Sequence, residues 1–297
     1  MRLRHIEVFH AVYSNGSISA AARMLNVSQP AVSKVLRHAE QQLGFTLFDR
    51  SKGKLIPTNE GITLFTEVSR VYLQIGSLRR IARNIKSNRS GQIRIAAITG
   101  LAFDVLPRAI AKYQRDLPNV AFEVQTQHYR KLESSLFEME NDIGLAFQPP
   151  SHQGLGAYDL GNAEFACVYK KGVFPGEPKR IKIAQIKGME VIAMNGRGPL
   201  GSLLMDKMQN REIILHPRLV ADTCFMATKF VKHIGGVTIV DEFTAKAQID
   251  EDLAYAKFDP PMKFSVKALY LESRPLSSLC EDFLDGFKEE FKAITKF

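Results

Sequence analysis

The sequence predicts an N-terminal all-α winged helix-turn-helix, then a long linker helix, and then a C-terminal α/β region of two subdomains. Three observations support this fold class. The first 90 residues carry 14 lysines and arginines against 5 acidic residues, whereas the other 207 residues carry 26 of each kind. In the N-terminal part, apolar residues recur at the spacing of a helix, and residues that commonly cap helices stand next to these runs. Short β-branched runs alternate with helical stretches in the remainder, which indicates an α/β region. A basic head joined to a neutral body is typical of proteins whose head binds nucleic acid.

Composition restricts the class of protein. The 297 residues are 45% hydrophobic and 24% charged, which fits about two globular domains. No apolar run approaches the roughly 18 residues of a membrane helix, and the N-terminus lacks the apolar core of a signal peptide. The three cysteines, Cys167, Cys224 and Cys280, are far apart, which favours a reducing cytoplasm over a disulfide scaffold. No histidine or cysteine pair has zinc-site spacing, so we expect neither a metal nor a cofactor.

Three helices are predicted in the head, over residues 3–15, 18–25 and 29–43. Ser17 and Ser28 are candidate N-caps of the second and third helices, and Gly44 is the glycine that ends the third. One face of the third helix is apolar and should form core. Its members are Val32, Val35, Leu36, Ala39 and Leu43.

The opposite face of the third helix carries side chains suited to DNA. Glutamine can form two hydrogen bonds to adenine, serine can serve any base, and lysine and arginine reach guanine or phosphate. The helix N-terminus also favours phosphate. The predicted contacts are Ser28, Gln29, Pro30, Ser33, Lys34 and Arg37. A three-helix bundle with a solvated polar face is the alternative that spacing and charge leave open.

A β-wing is predicted directly after the third helix. Leu47-Phe48 and Leu55-Ile56 look like two short strands joined by a basic turn over 51–54. Basic side chains on such a wing can lie along the phosphate backbone or in a minor groove. The predicted contacts are Arg50, Lys52 and Lys54.

Residues 17–61 carry a specific family resemblance. The string SISAAARMLNVSQPAVSKVLRHAEQQLGFTLFDR, followed by LIPTNEG, resembles the winged helix-turn-helix of LysR-type transcriptional regulators. The sequence departs from the family at Ala39, where leucine is common. The resemblance implies a homodimer or homotetramer on an interrupted palindrome of double-stranded DNA. It also makes RNA polymerase a candidate partner, and it implies no membrane partner.

A long linker helix is predicted from Thr58 to about Lys86. Its apolar residues are spaced 4, 3, 4, 3, 4 and 3, which is the seam of a coiled coil. The seam consists of Leu64, Val68, Val71, Ile75, Leu78, Ala82 and Ile85. Dimerisation along this seam is the favoured interpretation, and the resemblance implies the same pairing. Packing of the stripe on the chain's own body is the alternative. The polar segment 87–91 is a candidate hinge.

The C-terminal region alternates strands and helices, which predicts an α/β fold with mainly parallel sheets. The predicted strands cover 92–98, 120–126, 143–147, 191–194, 218–221, 235–240 and 264–271, and a last helix covers 277–297. This order resembles the effector-binding region of LysR-type regulators, which is similar to periplasmic binding proteins. The expected domains are therefore 1–57, 58–90 and 91–297. The last should divide into subdomain I, about 91–161 and 266–297, and subdomain II, about 162–265.

A ligand cleft is expected beyond the carboxyl ends of the strands. Strand-to-helix turns at this edge can present helix N-termini, which favours an anionic or zwitterionic small-molecule effector. The head and linker also resemble the sub-branch of the diaminopimelate decarboxylase activator and the opine regulators, which implies an amino-acid-like effector. The predicted contacts are Thr99, Gly100, Phe147, Gln148, Ser202, Asp222 and Thr223. Plain N-capping is the alternative role of the serine and threonines.

The leading hypothesis is a ligand-responsive transcriptional regulator, and three other functions are weighed against it. A cysteine-based redox switch would use Cys224 near a helix start, although a buried inert cysteine is the simpler interpretation. An enzyme is not expected, because the sequence has no nucleophile elbow, phosphate loop or metal cluster. The third alternative is a DNA-binding architectural protein that has no effector. In that case no small molecule would raise its thermal stability.

Overall fold

The structure is a computed structural model of the chain. It describes residues 1–51, 54–86, 91–196, 198–211, 213 and 217–295, with the backbone alone at 50, 51, 54, 80, 81 and 83–86. Lys52 and residues 87–90 of the predicted hinge lie outside the described residues. The chain forms two compact units, Met1–Ala82 and Arg83–Phe297, which we call the head and the body.

The head contains the helices and the wing that the sequence predicts. The elements are α1 (Leu3–Asn15), α2 (Ile18–Met24), α3 (Gln29–Leu43), β1 (Phe48–Ser51), β2 (Lys54–Pro57) and α4 (Asn59–Lys86), the last of which continues beyond the head. The predicted caps are confirmed. Ser17 Oγ accepts a hydrogen bond from the Ala20 N–H at 3.1 Å, and Ser28 Oγ accepts one from the Ala31 N–H at 3.4 Å. Gly44 follows α3 at φ 81°.

A single apolar core holds the head together. Val32, Leu36 and Ala39 are buried on the inner face of α3, as predicted, and Val35 and Leu43 are half-buried. Apart from Ala39, these residues pack with apolar residues of the other elements, which are Val8, Phe9, Ala11, Val12, Ala21, Ala22, Leu47, Phe48 and Val68. Burial of this face orients α3, because its polar residues must then point to solvent.

The start of α4 is attached to the base of the wing. The Thr58 hydroxyl donates to the Thr46 carbonyl at 2.8 Å and accepts from the Gly61 N–H at 3.0 Å. A Cβ at Gly61 would lie 2.3 Å from the Leu47 carbonyl oxygen, so only glycine permits this approach.

The predicted coiled-coil seam divides into two parts. Val68 is only 4% exposed within its own head, and Leu64 packs beside it, so a partner helix cannot bury Val68 further. Farther along α4, Val71 and Leu78 are 38% and 66% exposed, and Ala82 is also exposed. Ile75 is half-buried, and the side chain of Ile85 lies outside the described residues. Packing within the chain therefore accounts for the first part of the stripe, and dimerisation along its exposed part stays a prediction.

The body is an α/β unit. Its elements are β3 (Gly91–Ala97), α5 (Thr99–Ala102), α6 (Val105–Asp116), β4 (Val120–Thr126), α7 (Tyr129–Phe137), β5 (Ile143–Phe147), β6 (Leu155–Lys170), β7 (Arg180–Ile181), a 3-10 turn (Ile183–Ile186), β8 (Val191–Met194), α8 (Pro199–Gln209), β9 (Pro217–Ala221), α9 (Cys224–Ile234), β10 (Val237–Asp241), α10 (Glu242–Gln248), β11 (Leu253–Phe258), β12 (Lys263–Leu271) and α11 (Ser278–Thr295).

Two strands that cross the body make its sheet mixed rather than mainly parallel. The strand order is β4-β3-β5-β12-β6-β10-β8-β9, and β11 pairs with both β6 and β7. The outer strands pair in parallel, as expected, but β12 and β6 run antiparallel to their neighbours. The 16-residue β6 pairs with β12 over its first part and with β10 and β11 over its second part. The expected boundary between 161 and 162 thus falls inside one continuous strand. We call the sheet of β4, β3, β5 and β12 the first sheet, and that of β10, β8 and β9 the second.

Candidate functional site

The outer face of α3 presents the polar residues that the sequence singles out. Ser33 is half-buried, and the others, Ser28, Gln29, Pro30, Lys34 and Arg37, are exposed. Neither Lys34 nor Arg37 forms an ion pair with any described residue, so both charges are available to an external anion. This arrangement matches a helix that presents its N-terminal turns to a DNA groove.

A serine of α2 positions the glutamine of this face. The Ser19 hydroxyl donates to Gln29 Oε1 at 3.1 Å, which restricts the Gln29 side chain beside α2. Sequence reasoning missed this contact, because the spacing of ten residues does not reveal that α2 crosses the start of α3. The bond leaves the Gln29 amide N–H groups free to donate, as a contact to a base edge requires.

The wing is fastened to the same helix. β1 pairs antiparallel with β2, and Arg50 stands opposite Leu55 in the register. Glu40 of α3 accepts hydrogen bonds from the backbone N–H groups of Leu47 at 2.8 Å and Phe48 at 3.4 Å. This acidic residue lies in an otherwise basic region because its carboxylate binds the start of the wing, a role that sequence reasoning also missed. The backbone places Arg50 and Lys54 on the wing, and Lys52 lies outside the described residues.

A histidine pair connects α1 to α3. His5 is 5% exposed, and its Nδ1 accepts from the Arg2 backbone N–H at 3.2 Å. The ring proton of neutral His5 is therefore on Nε2, which donates to Nδ1 of His38 at 3.1 Å. Burial, followed by the nearby His38, lowers the pKa of His5. The contact thus depends on a neutral His5.

Stacked rings connect α1 to α4. The His10 ring lies 4.0 Å from the Tyr72 ring at an interplanar angle of 12°, and Tyr13 lies 3.6 Å from Phe65 at 10°. Glu7 on the same helix accepts from the Arg79 guanidinium at 2.8 Å. Since α1 contacts both α3 and α4, α3 and the head's part of the linker helix form one rigid unit.

The body contains a cavity of about 630 Å³, a size typical of small-molecule sites. Of the predicted effector residues, Thr99, Gly100, Phe147, Asp222 and Thr223 line it. Its further polar and ionisable lining includes Gln127, His128, Tyr129, Arg130, Asn195, Cys224 and Asp241, of which sequence reasoning noted only Cys224. The cavity is therefore lined by the carboxyl ends of strands from both sheets and by the helices that follow them.

Two predicted effector residues do not line the cavity. Gln148 Oε1 accepts from the Ser265 backbone N–H at 2.9 Å and from the Ser265 hydroxyl at 3.2 Å, so its side chain holds β12 beside the end of β5. Ser202 is exposed, because α8 begins at Pro199 and turns Gly198–Gly201 towards the cavity instead. In both cases the direction of the side chain decides the outcome, and residue type alone does not reveal that direction.

The two predicted threonines have different roles. Thr223 is the N-cap of α9, and its hydroxyl accepts from the Met226 N–H at 3.2 Å. Thr99 is the first residue of α5, whose N-cap is Ile98, so the Thr99 hydroxyl does not cap this helix. Next to Thr223, Asp222 accepts a hydrogen bond from the Asn195 side chain and lies 3.7 Å from His128 Nε2.

The most deeply buried ionisable group of the cavity lining is Asp241. It is 1% exposed, and its two oxygens accept from the Thr244 N–H at 2.8 Å and from the Thr244 hydroxyl at 2.7 Å. Burial raises the pKa of Asp241. A Cβ at Gly100 would lie 2.6 Å and 2.8 Å from its carboxylate oxygens, so glycine is required where α5 meets Asp241. Burial, and then Asp241, also raise the pKa of the Cys224 thiol well above its usual range.

Comparison with known proteins now identifies the family. Residues 3–62 match the family described as "Bacterial regulatory helix-turn-helix protein, lysR family", and residues 86–292 match "LysR substrate binding domain". The chain belongs to the LysR family of transcriptional regulators. As a LysR-type regulator it consists of a DNA-binding helix-turn-helix region and an α/β effector-binding domain.

Individual relatives cover nearly all of this LysR-type chain. The HTH-type transcriptional regulator DgcR of Pseudoalteromonas sp is 44% identical over 96% of this chain and 98% of its own length. The octopine catabolism/uptake operon regulatory protein OccR of Rhizobium meliloti is 27% identical over 99% and 96%. The crystal structure of full-length CbnR in complex with its target DNA aligns with a TM-score of 0.72, at 17% identity, over 98% of this chain and 100% of that chain.

The described part of this regulator contains neither a candidate metal cluster nor a candidate membrane-spanning helix. No group of three or more His, Cys, Asp or Glu residues there could hold a metal ion. No helix among the same residues has the length and apolar character needed to cross a membrane.

Proposed function

We propose that this LysR-type regulator reads an interrupted palindrome through the outer face of α3 and through its wing. The observation that carries this proposal is the exposed polar face of α3, whose Gln29 is positioned by Ser19. Direct base contacts are assigned to Gln29 and Ser33, and phosphate or guanine contacts to Lys34 and Arg37. Ser28 and Pro30 form the helix start at the backbone, and Arg50, Lys52 and Lys54 supply the contacts of the wing.

A dimer, and through it a tetramer, is the proposed DNA-bound assembly. Val71, Ile75, Leu78 and Ala82 are the contacts that the exposed part of α4 offers to a second copy, with Ile85 continuing the same seam. Apolar residues at 3.5-residue spacing on an exposed helix favour pairing with another helix. Two recognition helices would then fall on successive turns of DNA. Contact with RNA polymerase belongs to the same proposal.

The body is proposed to bind a small anionic or amino-acid-like effector in the 630 Å³ cavity. Thr99, Gly100, Phe147, Asp222 and Thr223 remain the proposed contacts, because all of them line it. A relative named for octopine, an amino-acid derivative, supports this chemical class. Binding would change the arrangement of the two sheets around the cavity and so alter how the assembly holds its operator.

Cysteine oxidation is the weaker alternative for the signal. A redox-sensing cysteine needs thiolate character, and burial raises the pKa of the thiol groups of Cys224 and Cys167 and raises that of Cys280 to about 11. A protonated thiol is a poor nucleophile towards peroxide. We therefore infer control by a cavity ligand rather than by cysteine oxidation.

The decisive experiment is selection of genomic DNA fragments by the purified protein, followed by footprinting. The proposal expects two protected half-sites in helical phase. Gln29→Ala with Ser33→Ala should abolish the specific footprint but retain non-specific binding, because the phosphate contacts remain. Gln42→Ala, an exposed glutamine at the other end of α3, is the matched control. An unchanged footprint in the double variant would show that another face reads the DNA.

A further inference from the structure

We propose that two exposed side-chain contacts hold the walls of the cavity together at its edge and thereby control the entry of small molecules. The first joins His128 to Asp222, and the second joins Phe103 to Phe225. We call them the rim contacts. This inference rests on the proposed function, because it concerns access to the same cavity, but it does not depend on the identity of the effector.

The rim contacts join elements that belong to different sheets. His128 comes directly after β4, and Phe103 comes directly after α5, which follows β3 of the same first sheet. Asp222 comes directly after β9 of the second sheet, and Phe225 lies in α9, the next helix along the chain. Each rim contact therefore exists only while the two sheets lie this close together.

The first rim contact is polar and exposed. His128 Nε2 lies 3.7 Å from an Asp222 carboxylate oxygen, and both side chains are exposed. The Asn195 side chain, at the end of β8, donates a hydrogen bond to Asp222. The wall of the second sheet thus orients the carboxylate, and His128 approaches it from the opposite wall. Water can replace such an exposed contact when the walls part, so its breaking costs little.

The second rim contact is aromatic. The ring centroids of Phe103 and Phe225 lie 5.9 Å apart at an interplanar angle of 37°. Both rings are exposed, and Lys229 Nζ of the same helix lies 5.5 Å from the centroid of the Phe225 ring. Aromatic pairs at this separation attract one another beyond the effect of burial alone. Contact between the rings therefore favours the closed arrangement of the walls.

A further contact between the walls is buried and tightly packed. A Cβ at Gly100 would lie 2.6 Å and 2.8 Å from the Asp241 oxygens, which shows how closely the backbone approaches this buried side chain. Exposed contacts open at a lower free-energy cost than packed ones. We therefore expect the walls to part at the rim contacts while Gly100 and Asp241 stay together.

Cys224 provides a probe of this opening that requires no knowledge of the effector. It lines the cavity, and its thiol contacts the buried Asp241. Burial, and then Asp241, raise the pKa of this thiol, and the thiolate is the reactive form, so labelling should be slow while the walls are together. Cys167 and Cys280 are buried in the apolar core of the body, so they report unfolding instead.

The test measures the labelling rate of each cysteine in the full-length protein, with mass spectrometry of peptides to assign the site. The reagents are methyl methanethiosulfonate and the bulkier dithionitrobenzoate. Phe103→Ala should accelerate labelling of Cys224 about 2- to 10-fold, because the closed arrangement loses an aromatic contact. His128→Met keeps a side chain of similar size without its polar group and should accelerate labelling by up to about 5-fold. Both factors should be larger for the bulkier reagent, which needs the walls farther apart.

Each variant has a matched control in the body. The ring of Phe137, an exposed phenylalanine of α7, lies 5.1 Å from the His152 ring. His152 Nε2 lies 3.8 Å from a Glu133 carboxylate oxygen, also in α7. Neither contact involves a residue that lines the cavity. Phe137→Ala and His152→Met remove the same kinds of contact as the two rim variants, and their Cys224 should be labelled at the wild-type rate.

The outcomes separate this inference from the proposed function. Unchanged labelling of Cys224 in both Phe103→Ala and His128→Met would overturn it, and so would equal acceleration by the controls. Labelling of Cys167 and Cys280 in step with Cys224 would also overturn it, because unfolding would then expose the thiol. If the rim variants are labelled at the wild-type rate but a small molecule alters the DNA footprint, only this inference fails. If they are labelled faster but no small molecule alters the footprint, the inference holds and the proposed effector role fails. Should Phe103→Ala not fold, His128→Met decides.

Discussion

Replacing Gly100 with alanine should destabilise the body by about 1–3 kcal/mol, the usual cost of overpacking. The new Cβ would lie 2.6 Å and 2.8 Å from the Asp241 oxygens and 2.9 Å from its Cγ. Ordinary contacts between carbon atoms begin near about 3.5 Å, so the carboxyl group would have to move by roughly half an ångström or more. It cannot do so freely, because both oxygens are bonded to Thr244. For a unit of this size the melting temperature should fall by roughly 2–12 °C.

A double-mutant cycle tests this reasoning. Asp241→Ser keeps an N-cap oxygen for α10 but removes the carboxyl group that the alanine would meet. We therefore expect Gly100→Ala to cost much less in the Asp241→Ser background, with a coupling energy of about 0.5–3 kcal/mol. The assay is thermal and urea unfolding of the four proteins, monitored by circular dichroism. Additive effects of the two substitutions would refute the proposed contact.

Four further predictions concern charge, pH and assembly. Lys34→Ala should lower the slope of log affinity against log salt by about 0.9 for each phosphate that the lysine neutralises, which titrations at several salt concentrations would show. Because protonation of His5 removes the acceptor of the Arg2 N–H and the pKa of His5 is lowered by burial, stability of the head should fall as the pH drops below about 6.5. His5→Gln should flatten this dependence in unfolding experiments at several pH values. Leu78→Ala, which truncates an exposed side chain of the linker, should leave the circular dichroism spectrum unchanged but raise the dimer dissociation constant in analytical ultracentrifugation. Asp241 has a raised pKa, so its burial should reduce stability progressively as the pH rises above about 3.8, the ordinary value of this group, and Asp241→Asn should remove this dependence.

Local signals explain why the head could be predicted closely from the sequence. Ser17 and Ser28 cap helices through donors three residues away, and Gly44 ends α3 within the same turn. Such contacts span a few residues and are encoded by residue type and spacing. The long-range contacts of the head were not predictable in this way. The bonds from Ser19 to Gln29 and from Glu40 to the wing depend on how helices cross, which no local pattern specifies.

The body shows the limit of pattern reasoning more clearly. The short strands of residues 120–126, 143–147 and 191–194 were predicted with the same bounds that the structure gives them, because each is a compact β-prone run. The 16-residue β6 was missed, since its polar and small residues lack a clear alternation. Its antiparallel pairing with β12 is set by tertiary packing over about a hundred residues of sequence separation. The prediction of a mainly parallel sheet was therefore wrong for the central strands β12 and β6.

The candidate cavity was predicted in part for the same reason. Thr99, Asp222 and Thr223 were found because strand-to-helix turns converge at the carboxyl edge of a sheet. Gln127 and Asp241 line the cavity too, yet in the sequence they look like a strand end and a helix cap. What distinguishes them is burial, and burial arises only once both sheets are in place.

The position of Asp241 shows how occupation of the cavity can affect both sheets of the body. Asp241 ends β10 of the second sheet, and its carboxyl group touches Gly100, which follows β3 of the first sheet. A ligand bound beside this contact would act on residues of both sheets at once. At the same cavity, His128 after β4 lies 3.7 Å from Asp222 after β9, so an exposed side-chain contact already connects the two sheets. A ligand shifts a conformational equilibrium only by its differential affinity for the two states. Because residues of both sheets line the cavity, a ligand that contacts them more closely in one arrangement of the sheets would favour that arrangement.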